Sequence, residues 1–288
     1  MKLTPRIPPE GINAPPESPL RNIAALIVGA AFVLAGVFFV VSLIVDAVVD
    51  RLDPATERTL FTEWLPEMLE SFGAQGWDEE AQAALLPLFH RVHGAVEALP
   101  YDFEVRVACI PEPNALALPG GGVVVTAGLL HLLETEEELA FVLGHELGHF
   151  RHRDHLRGMG RAAALQIAVS MTSSGAGIDP SAAIEIGLQA LNSAHSREQE
   201  IQADVVGAEA IAALYDGDVS GAHRALDALD RALDSGALDA VNVLRSHPVG
   251  DKRRRALDAL SSDRGWRALK GRGNPLTPAL SGACDGPA

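Results

Sequence analysis

The longest apolar run in the chain lies near its N-terminus. Residues 23–45, IAALIVGAAFVLAGVFFVVSLIV, carry no charged side chain. As a helix rising 1.5 Å per residue, this run would extend about 35 Å, more than the hydrocarbon core of a bilayer. It is longer than the apolar region of a signal peptide, and no convincing cleavage site follows it. We therefore predict one uncleaved membrane-spanning helix over 22–49, preceded by a Pro-rich tail over 1–21.

Beyond this run, most apolar positions recur at the three- and four-residue spacing of helices. Residues 56–99, 179–194 and 218–240 predict helices in this way. The pattern indicates a mainly helical α+β domain over 50–260. The remaining segment, 261–288, is punctuated by Gly and Pro and predicts a flexible C-terminal tail.

The segment GHELGHFRHRDH, residues 144–155, carries the candidate chemistry. On a helix, His145 and His149 lie on one face and can point two imidazole nitrogens at one ion, with Glu146 beside them. Zinc peptidases need this arrangement: two helical ligands, a neighbouring general base and a third ligand from elsewhere. A capping box that begins at Thr135, followed by an apolar stripe, predicts that the helix is buried. The alternative is a His-rich helix end on the surface, which matches the zinc-peptidase motif only by chance.

The metzincin pattern offers one candidate for the third ligand. His155 lies six residues after His149, as that pattern requires. However, the pattern also needs a chain-turning glycine at the position that His152 occupies here. We therefore interpret His152 and His155 as part of a solvated helix end.

A second candidate lies in HSREQEIQAD, residues 195–204, which predicts another helix with its own capping box. Glu200 and Asp204 are four residues apart and share one face of that helix. Glu200 can complete the ligand set, and Asp204 can accept a hydrogen bond from a ligand imidazole. The alternative is an acidic face that contacts only solvent.

Four segments, in this order, resemble the HtpX-type and CAAX-prenyl-protease-type zinc metallopeptidases, a gluzincin family that includes BepA- and OMA-like quality-control proteases. They are NALALPGG (114–121), HELGH (145–149), SREQEIQAD (196–204) and SHPVGDKRR (246–254). The resemblance implies a zincin-like metallopeptidase domain with a small β-sheet, preceded here by one transmembrane helix. Because some members of the family have several spans, a single span puts prenyl-protein processing in doubt.

The resemblance also implies a role for individual residues. One zinc ion per chain would be bound by His145, His149 and Glu200. Glu146 would be the general base, and Asp204 would support a ligand imidazole. His247 would either donate a hydrogen bond to the developing oxyanion or cap the metal in a closed form. We prefer the first role, because a permanently capped metal cannot bind the attacking water; the alternative is an ordinary loop histidine.

Two short stretches predict strands. FEVRVACI, residues 103–110, partly alternates, and a glycine turn leads into a run of β-branched valines after it. An edge strand beside the metal helix could pair with an extended peptide. The candidate substrate-binding positions are therefore Gly121, Gly122, Val123 and Val124. The alternative is a core strand that does not contact substrate.

Charge and cysteine content narrow the possible partners and compartment. A net charge of −15 argues against a nucleic-acid partner. Basic residues precede the span, whereas those that follow it stand among carboxylates, which favours a cytoplasmic N-terminus and an extracytoplasmic catalytic domain. Cys109 and Cys284 are not a metal-binding pair. An exported domain permits a disulfide between them, but the sequence does not indicate one.

The sequence therefore predicts a single-pass, membrane-anchored zinc endopeptidase that acts on protein or peptide substrates. The resemblance implies a role in protein quality control of the cell envelope. The alternative is a zinc-binding chaperone or assembly factor, which would keep the ligands without depending on Glu146. A purely structural membrane adaptor is disfavoured, because every catalytic position of the family pattern holds the residue type that the reaction needs.

Overall fold

The computed structural model describes seven parts of the chain. They are residues 18–73, 76–96, 99–162, 195–234, 247, 250–268 and 273–285. Most of the predicted N-terminal tail and the predicted helix over 179–194 lie outside the described residues.

The first helix is the predicted membrane span. Helix α1 (Pro19–Val49) has 31 residues, and its most apolar part has a mean hydropathy of 2.8 with no residue buried. By length and composition it is able to cross a membrane. The described residues up to Val45 form a unit separate from the unit that begins at Asp46.

The second unit is mainly helical with a small sheet, as the sequence predicts. Its described helices are α2 (Pro54–Phe61), α3 (Leu65–Phe72), α4 (Glu79–Ala95), α5 (Ala127–Leu132), α6 (Glu136–His152), α7 (Arg197–Leu214), α8 (Ser220–Asp234), α9 (Asp251–Arg264) and α10 (Pro278–Ser281). Its described strands are β1 (Glu104–Ala108), β2 (Ala115–Leu118) and β3 (Gly122–Thr126). The main hydrophobic core joins α4, the sheet, α6, α7 and α8.

The sheet has the order β1-β3-β2. Strand β3 pairs in parallel with β1 and antiparallel with β2, so Val123 lies opposite both Val105 and Ala117. The predicted edge strand that contains Gly122, Val123 and Val124 is therefore the central strand, and the prediction is wrong in this respect. Both backbone edges of β3 are already paired, which leaves none for a peptide. Strand β2 is an edge strand of the described sheet, and it contacts α6.

Helices α6 and α7 approach closely because small residues face each other between them. A Cβ added to Gly148 would lie 2.8 Å from the Cα of Ala203, and one added to Gly144 would lie 2.9 Å from the Cα of Gly207. Such distances leave no room for a side chain. Gly148 in the HELGH segment and Gly144 just before it therefore allow the two helices that carry the candidate ligands to touch.

The C-terminal segment differs from the predicted flexible tail. Helix α9 continues to Arg264, and residues 273–285 pack on the domain, where Leu276, Leu280 and Ala283 are buried. A disulfide joins Cys284 to Cys109, next to the end of β1. Gly and Pro punctuation suggested mobility, but three apolar side chains and a covalent link fix this segment.

Candidate metal centre

Helix α6 begins and ends as its local sequence dictates. The Thr135 side chain accepts a hydrogen bond from the backbone N–H of Glu138, whose carboxylate accepts one from the Thr135 N–H, so the predicted capping box is present. Three glutamates in the first turn place negative charge where the helix dipole favours it. The helix ends at Arg153, which adopts a left-handed conformation with φ of 55°. The whole of the HELGH segment is buried.

Four side chains from three parts of the chain meet beside this helix. His145 Nε2 lies 3.1 Å from His149 Nε2 and 3.2 Å from His247 Nδ1. Glu200, from α7, lies 3.5 Å from each of the two helical histidines and 3.1 Å from His247 Nδ1. All four are buried, with Glu200 fully inaccessible. The structure thus brings together the three predicted ligands and His247.

The other ring nitrogen of each helical histidine is held by a carboxylate. Asp204 Oδ1 lies 2.9 Å from His145 Nδ1, and Asp154 Oδ2 lies 2.9 Å from His149 Nδ1. This arrangement leaves both Nε2 atoms free to act as ligands and fixes the ring orientations. Asp204 occupies the place that the sequence predicts for it. Asp154 was not predicted, although it is only five residues from His149.

Arg253, near the start of α9, is a second residue that sequence reasoning missed. Its guanidinium donates two hydrogen bonds to Asp204, at 2.7 and 2.6 Å, and its Nη1 lies 2.8 Å from Glu200 Oε2. Arg253 is 4% exposed, so these contacts form away from water. It thereby compensates part of the buried negative charge of Glu200 and Asp204. The only sequence signal for Arg253 was the basic run KRRR, residues 252–255, after His247.

The environment favours the charged form of both carboxylates. Burial alone would raise the pKa of Glu200, but the neighbouring His247 and His149 hold it far below its ordinary value. Burial would likewise raise the pKa of Asp204, but the charge and hydrogen bonds of Arg253 hold it below its usual range.

The two helical histidines differ in proton affinity. Burial lowers the pKa of His145 despite its hydrogen bond to Asp204. Burial acts in the same direction on His149, but hydrogen bonds to Asp154 and Glu200 raise the pKa of His149 to about 10. The carboxylates of Asp154 and Glu200 therefore stabilise a positive charge on the His149 ring, whereas at His145 the effect of burial is larger.

Glu146, the predicted general base, lies at the edge of the cluster. Its Oε1 is 3.8 Å from His247 Nε2, and the residue is 3% exposed. It lines a small cavity together with His145 and His247, between apolar walls that include Leu129 and Phe141. A carboxylate in this position can exchange a proton with a group held next to the ligand atoms.

His195 is a fourth histidine, which stacks on the three histidines of the cluster, and no role was predicted for it. Its ring is 4.1 Å from that of His149, with an angle of 20° between the planes, and 5.1 Å from that of His247. Its Nδ1 lies 3.6 Å from Glu200 Oε1. It therefore packs against the outer face of the site.

His155, the metzincin candidate, lies elsewhere. Its Nε2 is 3.0 Å from Glu57 Oε1, in a buried contact between residues 98 positions apart. It is also not at a solvated helix end, because it is only 3% exposed. The group of side chains close enough to share an ion, among the described residues, consists of His145, His149, Glu200 and His247.

The donor set fits a zinc ion. Imidazole nitrogen and carboxylate oxygen are both zinc ligands, and donor atoms around one tetrahedral zinc lie roughly 3.3 Å apart. The closest donor pairs in this cluster are separated by 3.1 to 3.5 Å. A cation bound by both rings would explain why the two imidazole Nε2 atoms lie only 3.1 Å apart.

Comparison with known proteins supports this interpretation. The model of peptidase family M48 matches residues 81–261. The chain is 32% identical over 172 residues to the mitochondrial metalloendopeptidase OMA1 of Arabidopsis thaliana, a match that covers 58% of this chain and 33% of that protein. It is 39% identical over 94 residues to a protease HtpX homolog of Halobacterium salinarum, which covers 30% of each chain.

A further HtpX homolog, from Methanothermobacter thermautotrophicus, is 31% identical over 146 residues, or 43% of this chain and 52% of that protein. The chain thus spans about a third to a half of the length of these relatives. The family model, however, matches well over half of the chain and includes all four clustered side chains. The chain belongs to peptidase family M48.

Proposed function

We propose that this protein is a membrane-held, zinc-dependent endopeptidase that hydrolyses peptide bonds. The observation that carries the proposal is the buried cluster of His145, His149, Glu200 and His247, with a Glu146 oxygen 3.8 Å from His247. Membership of a peptidase family and a helix able to cross a membrane support it. The substrates would be proteins or peptides.

In this proposal His145, His149 and Glu200 would hold one zinc ion, and the chemistry supplied by a zinc ion there would be that of a Lewis acid toward a carbonyl and a water. Asp204 and Asp154 keep the ligand imidazoles in the tautomer that presents Nε2. Glu146 accepts a proton from the attacking water at a carboxylate oxygen and then passes it to the amine nitrogen of the leaving peptide.

The described residues leave little space beside the metal cluster. The cavity beside His145, Glu146 and His247 measures about 30 Å³, which is room for a water but not for a peptide. His247 lies among the donor atoms, with its Nδ1 3.1 Å from Glu200 and 3.2 Å from His145. This placement favours the capping role for His247 over the oxyanion role that we preferred from the sequence. Access for a peptide would then require His247 to withdraw.

Replacing His247 with Ala should leave the zinc content unchanged, because three ligands remain, and should raise basal turnover of a short peptide. The measurement is steady-state cleavage together with metal content. The matched control is His223→Ala, a histidine on α8 whose Nδ1 lies 3.8 Å from Asp258. A fall in turnover of roughly 10²–10³-fold would instead assign His247 to oxyanion stabilisation.

We further propose that the catalytic domain lies outside the cytoplasm and acts in protein quality control of the cell envelope. The disulfide between Cys109 and Cys284 supports the location, because disulfides persist in oxidising compartments. The excess of basic residues before the span supports the same orientation. The quality-control role rests on the resemblance to the family alone.

The direct experiment is a protease assay on the full chain purified in detergent, with an unfolded protein as substrate. Cleavage should stop when a chelator removes the metal and return when zinc is added. Cleavage that continues in the chelator, with zinc content at zero, would refute a zinc mechanism. Binding of the unfolded substrate without cleavage would favour the chaperone alternative.

A further inference from the structure

The carboxylate that orients His149 lies in an unusual segment of the chain. Asp154 lies two residues after the end of α6, and its two oxygens accept hydrogen bonds from His149 Nδ1 at 2.9 Å and from Gln199 Nε2 at 2.6 Å. It is 3% exposed. The chain turns at the left-handed Arg153 and becomes helical again from Asp154, so the placement of Asp154 depends on how this second helical run, with His155 in its first turn, is held.

Both neighbours of Asp154 are bound to the segment that continues from α1 into α2. The Arg153 guanidinium donates hydrogen bonds to the backbone carbonyl oxygens of Val49, at 2.7 Å, and of Leu52. On the other side, His155 Nε2 lies 3.0 Å from the Glu57 carboxylate in α2. Asp154 is therefore held between two contacts to residues 49–57.

Glu57 is the buried end of this arrangement. It has no accessible surface, yet its carboxylate has three partners from three separate parts of the chain. Besides His155, they are the Tyr101 hydroxyl at 2.7 Å and the Gly120 backbone N–H at 3.2 Å. Burial alone would raise the pKa of Glu57, but the hydrogen bonds of His155 and Tyr101 hold it below its ordinary value.

Further ion pairs tie the same two segments together. Arg157 binds Asp46 at 2.9 Å and Asp50 at 2.6 Å, and Arg161 binds Asp46 at 2.8 Å. These side chains are partly exposed, so each pair contributes little by itself. The fully buried Glu57 contact is stronger, because an ionised acceptor inside the protein is poorly screened.

We propose that Glu57 is a positioning residue of the metal site, which acts through His155 and Asp154 on the orientation of His149. The segment after the membrane helix would then be part of the catalytic machinery and not only a tether. This inference rests on the proposed function, because it treats His149 as a zinc ligand. The chain of contacts is short. Glu57 binds His155, the backbone links His155 to Asp154, and Asp154 accepts the hydrogen bond that orients the His149 ring.

The experiment measures zinc affinity of the full chain in detergent by chelator competition. Glu57→Ala and His155→Phe cut the same contact from its two ends, and the second retains an aromatic ring against Phe150, which lies 4.8 Å away. Each should weaken zinc binding about tenfold, which is the low end for residues that support a metal ligand. His155→Phe guards against the outcome that Glu57→Ala does not fold.

The control is Tyr215→Phe, which removes a half-buried hydroxyl that donates to Glu136 at 2.8 Å, at the opposite end of α6 from Asp154. Zinc affinity should be unchanged in this variant. In an Asp154→Asn background, His155→Phe should add little further loss, because both changes act on one path. Amide hydrogen exchange of residues 150–156 in the zinc-free protein should increase in His155→Phe and not in Tyr215→Phe.

Wild-type zinc affinity in His155→Phe would overturn the inference. So would an equal loss of affinity in Tyr215→Phe, which would show general loosening of the domain instead of a specific path. If the wild-type chain binds no zinc, the proposed function fails and this inference fails with it. If the wild type binds zinc and His155→Phe binds it equally well, only this inference fails.

Discussion

Replacing Glu146 with Gln should lower peptide turnover by roughly 10²–10⁴-fold, while the fold and zinc content remain those of the wild type. Gln has the size and shape of Glu, so the buried position beside His247 stays filled. The amide, however, cannot take a proton from the attacking water. The zinc content should persist because Glu146 is not among the four side chains that are close enough to share an ion.

The measurements are kcat on a short peptide and metal content of the same preparation. The matched control is Glu136→Gln on the same helix, which removes a carboxylate 2.9 Å from Arg91 and far from the chemistry. That control should retain turnover. Equal cleavage by Glu146→Gln and wild type would sink the proposed mechanism.

The same variant separates the two functional classes. A protease loses its cellular function when Glu146 becomes Gln, whereas a zinc-bound chaperone or assembly factor loses it only when the ligands are removed. Cellular function retained in Glu146→Gln and lost in His145→Ala would therefore favour the chaperone class.

The parts of the site that lie on single helices were accessible from the sequence. Capping boxes at Thr135 and Ser196 predict where α6 and α7 begin, and both are present in the structure. Helical spacing places His145 with His149, and Glu200 with Asp204, on shared faces. Local rules suffice here, because each of these relations spans only three or four residues.

Relations between distant segments were not accessible. The pairing of Glu57 with His155, of Arg253 with Asp204 and of Cys109 with Cys284 joins residues 98, 49 and 175 positions apart. No local propensity encodes them. The strand order has the same origin: alternation and β-branched residues indicate strands but do not say that β3 lies between its neighbours.

His155 shows why a motif needs its tertiary context. Its spacing from His149 satisfies one condition of a metzincin site, and the absence of a glycine was the only sequence argument against it. The structure provides a positive explanation for the residue, which is its buried contact with Glu57. A single experiment can therefore compare the two candidate third ligands directly.

Purified full chain should carry about one zinc ion, and replacing His145, His149 or Glu200 with Ala should abolish tight binding. Structural zinc sites in zinc-finger peptides bind with roughly 10–16 kcal/mol in total, or about 3 kcal/mol per ligand, and a loss of that size here corresponds to about a hundredfold in affinity. The loss at Glu200 should be accompanied by lower stability, because Arg253 would keep a buried charge with one partner fewer.

His155→Ala is the decisive comparison in that series. It should keep one zinc per chain with affinity reduced only about tenfold, because His155 supports a ligand from a distance and does not contribute a donor atom. Metal content by mass spectrometry and affinity by chelator competition measure both effects. If Glu200→Ala kept the zinc and His155→Ala lost it, the third ligand would be His155, the site would be of the metzincin type, and the packing of α6 against α7 would have a structural role alone.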